Sequence, residues 1–302
     1  MATGQKSLLL ITGASGMLGH ALCKQALEQG PVAGIYHLRR PGVRGIDPVQ
    51  ADLCEQGAPE RLMNTLKPAA VIHVAAMADV TACEEESGRS ENINVRVPGR
   101  LASLCAKQEI PFIFVSTDLV FGGDRPPYRE KDKTDPLSVY ARQKVRAEDL
   151  VLKNWPRALV CRLPLMIGVA PEGHYHFCSQ MLRAIREDQP LRLFVDEFRT
   201  PVDTDSAARG LLLLLGRFHG LFHLGGRTRV SRHTLGMMIA EAMGIAPRMI
   251  LPVTLDSLHL PVPRARDVSL DSRKAFAAGY TPLALDEGIH KVVRGFLELY
   301  KD

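Results

Sequence analysis

The segment Tyr140-Ala141-Arg142-Gln143-Lys144 sets a phenol and an ammonium one helical turn apart on the same face. Reduction of a ketone needs such a pair, because a hydride goes to the carbonyl carbon and a proton must reach the oxygen. A free phenol titrates near ~10 and is a poor proton carrier at neutral pH until a nearby cation stabilises its phenolate. Lys144 supplies that cation. A hydroxyl from another segment must hold the substrate oxygen. Ser116-Thr117 closes the apolar run Phe112-Ile113-Phe114-Val115, which has the character of a buried strand.

A second signal lies at the head of the chain. Thr12-Gly13-Ala14-Ser15-Gly16-Met17-Leu18-Gly19 follows the apolar run Ser7 to Ile11 and opens a helical pattern. In that context Gly13 permits a tight turn, Gly16 lets backbone N–H groups approach a pyrophosphate, and Gly19 allows close helix–strand packing. The helix N-terminus then adds partial positive charge at the phosphates. The next strand ends in Tyr36-His37-Leu38-Arg39-Arg40, with no carboxylate to bind ribose hydroxyls. Two arginines there favour a ribose 2′-phosphate, hence NADP(H); the alternative is a solvated basic loop.

The elements that must position these groups alternate. Strands are expected at 7–11, 32–36, 49–51, 70–74, 112–115 and 158–161, and helices at 17–29, 59–66, 92–108 and 137–153. Gly30-Pro31 ends the first helix. This pattern predicts an α/β fold, a doubly wound parallel (Rossmann) sheet with a smaller C-terminal α/β substrate lobe. Beyond Leu163 the alternation loosens, with helices expected at 177–187, 204–217, 231–243 and 285–300 and strands at 191–195, 221–224 and 249–251. No linker or repeat separates the halves. Residues 1–163 are expected to form the cofactor domain and 164–302 the lobe, with some lobe segments returning to the sheet.

Composition narrows the class. The 302 residues carry 38 Lys+Arg against 33 Asp+Glu, a net charge of +5, with 46% hydrophobic residues, which excludes a disordered or fibrous chain. No apolar run is long enough for a membrane span, and no signal core precedes the first strand, so a soluble, cytoplasmic protein is expected. Six dispersed cysteines without a C-x-x-C pair point to buried thiols rather than disulfides or zinc. His174-Tyr175-His176 near Cys178 has no further ligand, so no metal site is expected. No Lys/Arg stripe interleaves with aromatics, so nucleic acid is not an expected partner. The mild positive charge suits a small anionic ligand. Glu84-Glu85-Glu86 reads as a solvated face, and Asp203 and Asp205 as the start of a helix.

The G-x-x-G-x-x-G spacing with Tyr140 and Lys144 resembles the extended short-chain dehydrogenase/reductase superfamily. Ser116-Thr117-Asp118-Leu119-Val120-Phe121-Gly122-Gly123 resembles the S-T-D-Y-V-F-D-G segment of the dTDP-4-dehydrorhamnose reductase family. Pro126-Pro127-Tyr128-Arg129-Glu130, Gly220 to Gly226 and Asp267 to Asp271 also resemble that family's blocks. The resemblance implies a catalytic set of Thr117, Tyr140 and Lys144. It implies cofactor contacts from Gly13, Ser15, Gly16, Met17, Leu18, Gly19, Arg39 and Arg40. Asp52-Leu53 would reach the adenine, Val74-Ala75-Ala76 would wall the nicotinamide side, and Leu163, Tyr140 and Lys144 complete the set. Ser116, Asp118, Arg199, Thr200 and Arg264 would face a sugar-nucleotide substrate, whose 4-keto group is reduced. Asn94 matches the family asparagine that supports the site, or is a plain helix-surface residue.

The chain departs from the family at Leu119, in place of tyrosine, at Leu165, where some members carry a tryptophan over the sugar, and at Arg264-Ala265, in place of Arg-Pro. These departures leave the reaction type and put the rhamnose precursor in doubt. Tyr128, Trp155 and Met166 could contact a sugar or simply pack. The same segments, with Arg39-Arg40 and Arg162-Leu163-Pro164, also resemble the regulatory β-subunit of methionine adenosyltransferase. An epimerase or dehydratase on the same residues stays open, and a homodimer is the family expectation.

Overall fold

The apolar runs in the first half become strands covered on both faces. The computed structural model describes residues 7–169, 177–246, 248 and 250–298. In it β1 (Leu9–Thr12), β2 (Val32–Tyr36), β3 (Asp47–Gln50), β4 (Ala70–His73), β5 (Phe112–Thr117) and β6 (Leu159–Leu163) pair in parallel. The later strands are β7 (Met166–Ile167), β8 (Leu191–Phe194), β9 (Phe198–Arg199), β10 (Val202–Asp203), β11 (Gly220–His223), β12 (Val230–Ser231) and β13 (Ile250–Val253). Of these, β11 joins the main sheet beside β6, giving the order β11-β6-β5-β4-β1-β2-β3. The order reverses between β1 and β4, where sheets of this kind open a ligand crevice at their carboxyl ends.

The helices in chain order are α1 (Met17–Ala26), α2 (Ala58–Leu66), α3 (Val80–Glu85), α4 (Ser87–Glu91), α5 (Val97–Gln108) and α6 (Val139–Asn154), then α7 (Phe177–Arg186), α8 (Thr204–Leu214), α9 (Arg232–Ala242), α10 (Arg273–Ala277) and α11 (Leu285–Glu298). Alternation along the strands sorts the core. Ile11, Ile72, Ile113 and Cys161 pack with α1 and α8 on one face, and Leu10, Val71, Phe112, Phe114 and Val160 pack with α2, α5 and α6 on the other. The second half thus contributes both a strand and a covering helix to the sheet. A separate core gathers Met181, Leu182, Leu235, Ile239, Ile289 and Val293 from α7, α9 and α11. Asp203 caps α8 by accepting from the Ser206 N–H at 2.9 Å, and Asp205 in its first turn pairs with Lys291, as a helix start requires.

The expected single helix over 92–108 is replaced by a longer, broken one. Helices α3 and α4 precede it, and Asn92–Arg96 form one π-turn in which the Val97 N–H reaches back to the Asn92 carbonyl. Pro98 explains the break: it lacks the N–H that would bond the Asn94 carbonyl, so the helix widens by a residue. Trp155, considered for sugar contact, lies below the amino end of β6 and donates its Nε1–H to the Ile110 carbonyl at 3.2 Å, away from the crevice. Tyr128 is buried, stacked on Phe121 with centroids 4.1 Å apart, its hydroxyl accepting from the Gly123 and Arg125 amides. Both pack rather than face the carboxyl-end crevice. Met166 is partly buried against the sheet core.

Five of the six cysteines are buried and Cys54 is exposed, all of them free thiols. Among the described residues no metal-holding cluster occurs and no helix is long and apolar enough to cross a membrane. His174, Tyr175 and His176 lie outside the described residues.

Beneath the site, Glu148 on α6 takes both the Nε–H and an Nη2–H of Arg162 on β6, at 2.9 and 2.6 Å, with both side chains nearly sealed from solvent. Removing one partner of a buried pair strands the other charge. Glu148→Ala should therefore lower unfolding free energy in urea by about 3–5 kcal/mol. Glu55→Ala, which breaks the exposed pair with Arg61, should cost under ~1 kcal/mol.

Candidate active site

The crevice is built from the end of β1 outward. Gly13 has φ +69°, and a Cβ there would meet the Ala75 amide nitrogen at 2.8 Å; at Gly19 a Cβ would fall 2.0 Å from the Gly13 carbonyl oxygen. Both positions exclude any side chain, so the turn lies flush between β1, β4 and α1. Gly16 is the residue before α1 and offers no side-chain cap, which leaves the first N–H groups of α1 facing outward from the turn with Ser15, Met17 and Leu18 around them. Such a cradle fits a dinucleotide pyrophosphate.

Thr12 ties the two sides of the crevice together. Its hydroxyl oxygen accepts from the Val74 and Ala75 amides at 3.1 and 3.2 Å and shares a hydrogen bond with Nδ1 of His73 at 2.8 Å. Both side chains are buried. Burial, reinforced by the Lys144 charge, pushes the His73 imidazole down to about 3, so the ring is neutral. Ala76 continues this half-buried wall and Leu163 ends β6 in the core. Arg39 and Arg40 are exposed after β2, and no ion pair engages them among the described residues. Asp52 accepts from the Cys54 amide at 2.8 Å and lies 3.8 Å from His37, while Leu53 is buried.

On the other side, Ser138 caps α6 by accepting from the Ala141 N–H, and Glu84 accepts from the Val139 N–H at 2.7 Å. Glu84, expected on a solvated face, is exposed yet also fixes the start of α6. Tyr140 and Lys144 are both buried. The Lys144 ammonium donates to the Val115 carbonyl of β5 at 2.6 Å and sits 4.1 Å from the Phe114 ring centroid. Burial brings Lys144 down to about 7, opposed by Glu148. The Tyr140 phenol is pushed upward, by burial first and then by Cys83 and Asp118. The downward pull expected from Lys144 is absent, and the phenol holds its proton.

Asn94 is buried, which removes the helix-surface reading. It clips Met77 through both main-chain groups at 3.0 Å and donates to Gln143 Oε1 at 2.9 Å, and Gln143 donates in turn to Ser90. Gln143 and Cys83 were not singled out from the sequence; their signal was only the one-turn spacing of Gln143 from Tyr140 and the proximity of Cys83 to the Val74–Ala76 wall.

At the end of β5, Thr117 donates to Asp118 Oδ1 at 3.2 Å and accepts from the Leu119 amide, and Ser116 is buried beside it. Asp118 pairs with Arg199 Nε at 3.3 Å, and Arg199 donates to Glu197 at 3.0 Å. Glu197 also receives Arg232 and Arg264. Thr200 is buried and accepts from the Leu270 amide. Of the five residues expected to face a substrate, Asp118, Arg199 and Arg264 therefore meet in one ionic cluster, of which Arg264 alone is substantially exposed, at 47%. Glu197, fully buried, is a residue the sequence reading missed; its position two before Arg199 on an extended segment was the available signal.

The model of the RmlD substrate-binding domain family matches residues 7–297. The chain belongs to that family. A dTDP-4-dehydrorhamnose reductase from Mycolicibacterium smegmatis is 30% identical over 294 residues, covering 94% of this chain and 86% of the relative. Subunit beta of methionine adenosyltransferase 2 from Pongo abelii is 28% identical, with 90% and 82% covered. A crystal structure of dTDP-4-dehydrorhamnose reductase from Bacillus anthracis in complex with NADP superposes with a TM-score of 0.85 at 20% identity, covering 97% of this chain and 99% of that one; it bears out the Rossmann fold.

His73 and His223 are both held neutral by burial, each at about 3 against an ordinary 6.5. Below pH 6.5 the unfolded chain takes up a proton on each ring that the folded chain refuses, so stability falls as pH drops toward 3. Each ring contributes up to about 1.4 kcal/mol per pH unit in that window. Denaturant titrations from pH 7 to pH 4.5 should show this slope, and His73→Gln should remove about one proton from it.

Proposed function

We propose that this protein is an NADPH-dependent reductase of a 4-keto sugar nucleotide. The reading is carried by one arrangement: Thr117 at the end of β5 and the buried Tyr140 and Lys144 at the start of α6, next to the glycine turn that opens α1. The Gly13–Gly19 turn with Arg39 and Arg40 would hold the reduced dinucleotide, which when bound would supply the hydride for the keto carbon. Tyr140 donates its proton to the keto oxygen, and burial ensures that the phenol is protonated before the step. Lys144 stabilises the phenolate that results, and the Thr117 hydroxyl turns its proton from Asp118 Oδ1 to the keto oxygen to orient it. The nucleotide sugar is inferred from the family and from the M. smegmatis reductase. Leu119 and Leu165 remove two side chains on which the rhamnose assignment would rest, so the sugar is left at its class.

A second reading, a regulatory subunit that keeps a cofactor fold, is favoured by the similarity to the methionine adenosyltransferase subunit, nearly as high as to the reductase. It has no use for a complete acid–base set. A panel of 4-keto nucleotide sugars, followed by NADPH consumption, separates the two. Turnover should appear on at least one member, and Tyr140→Phe should cut it by roughly 10²–10⁴ while NADPH affinity holds. No turnover on any member, with tight association to a methionine adenosyltransferase, selects the regulator.

Cofactor choice is tested by calorimetry. Each charge-assisted contact from Arg39 and Arg40 to a 2′-phosphate should be worth about 1.5–3 kcal/mol. Arg39→Ala with Arg40→Ala should weaken NADPH by at least about tenfold and leave NADH unchanged; equal binding of both cofactors by the wild type contradicts the assignment.

A further inference from the structure

We propose that Arg199 is a positioning residue, the internal counter-ion that holds Asp118 and through it the Thr117 hydroxyl, rather than a ligand for the substrate diphosphate. The proposal rests on the reductase reading and assigns the cluster behind its strand-end hydroxyl. Arg199 is 4% exposed, and all its nitrogens are engaged. Nε faces Asp118 at 3.3 Å, Nη2 donates to Glu197 at 3.0 Å, and Nη1 donates to the Phe198 carbonyl at 3.0 Å. A guanidinium binds a diphosphate through a two-pronged edge. Here the Nε–Nη2 edge is divided between two buried carboxylates, and turning it to a ligand would take from Asp118 its nearest counter-ion.

Glu197 is the anchor of the arrangement. Its Oε1 accepts from Arg199 and from Arg232 Nε at 3.1 Å, and its Oε2 from Arg264 at 3.3 Å. Three guanidiniums thus share two carboxylates, and the surplus positive charge falls at the exposed Arg264. That residue remains available to an anion while Arg199 does not. The cluster also spans the chain: Asp118 follows the sheet strand β5, Arg199 lies on β9, Arg232 begins α9, and Arg264 precedes the segment that pairs with Phe198. The angle of the Thr117 hydroxyl is therefore set by the packing of the lobe against the sheet.

Asp118 has Arg199, Arg232, Glu197 and Tyr140 as its charged or titratable neighbours. Burial raises its carboxyl, and Arg199 is the foremost group opposing that rise. Without the guanidinium the carboxyl should protonate at higher pH. Arg199→Gln should lower kcat at least about tenfold, move the acid limb of the kcat–pH profile upward by about one unit, and leave UDP and dTDP dissociation constants within about twofold of wild type. Arg199→Lys, which keeps the charge, should leave the acid limb near its wild-type position. Asp118→Asn combined with Arg199→Gln should abolish the shift, and it supplies a folded comparison if Arg199→Gln is unstable. Weakened nucleoside diphosphate binding with unchanged kcat and pH profile would overturn the proposal and make Arg199 a ligand. Carboxyl ¹³C NMR titration of Asp118 in wild type and in Arg199→Lys gives a readout independent of turnover. If no sugar is reduced, the reductase reading fails, while a carboxyl titration of Arg199→Gln that places Asp118 no higher than in wild type would refute the counter-ion role by itself.

Discussion

The hydroxyl of Thr12 is the contact on which the crevice depends. It sits at the end of β1, where the sheet order reverses, and binds two amides and an imidazole from the end of β4. A parallel sheet has no ladder hydrogen bonds beyond its strand ends, so the loops that leave there need another tether. Thr12 provides it, and the close approach of Gly13 to Ala75 follows. With these two loops locked, the first turn of α1 and the Val74–Ala76 wall form one rigid surface, which β5 and α6 complete through the Lys144–Val115 bond.

Charge is handled inside this protein by pairing rather than exclusion. The Glu148–Arg162 pair lies behind Lys144, and the Asp118–Arg199–Glu197 cluster lies behind Thr117. In both places a residue of the proposed active site is backed by a carboxylate–guanidinium contact shielded from solvent, where salt screens weakly. The cost of desolvating these ions is substantial, and it is offset by the hydrogen bonds of Arg162 to Glu148 and of Arg199 to Glu197.

Much of the fold was legible in the sequence because it follows from short-range rules. Continuous apolar runs marked buried parallel strands, Gly30-Pro31 marked a helix end, and the glycine spacing marked the turn at Gly13. The helix pattern failed at 80–96, where one proline two residues past the π-turn changes hydrogen-bond register without changing apolar periodicity. The site divided along the same line. Thr117, Tyr140 and Lys144 were legible as candidates because their types and order suit the proposed chemistry. Glu197, Gln143 and the burial of Arg199 were not, since an arginine that binds an anion and one that neutralises a buried carboxylate look alike until the partner segment is folded against it.

The π-turn at Asn92–Arg96 has a consequence for how this segment can vary. One extra residue in a helix advances the phase of everything after it by about 100°. Upstream of the turn, Cys83 and Ser90 face the start of α6; downstream, Leu101 and Cys105 face the sheet. Asn94 stands at the change of phase, joined to both Met77 and Gln143. A single-residue deletion between Asn92 and Arg96 would bring Pro98 into a regular helical turn, where it lacks the N–H and crowds the carbonyl four residues back, and it would turn one of these two faces away from its partner. The segment is thereby closed to length variation although it lies in a helix, where loss of one residue would otherwise be absorbed at an end.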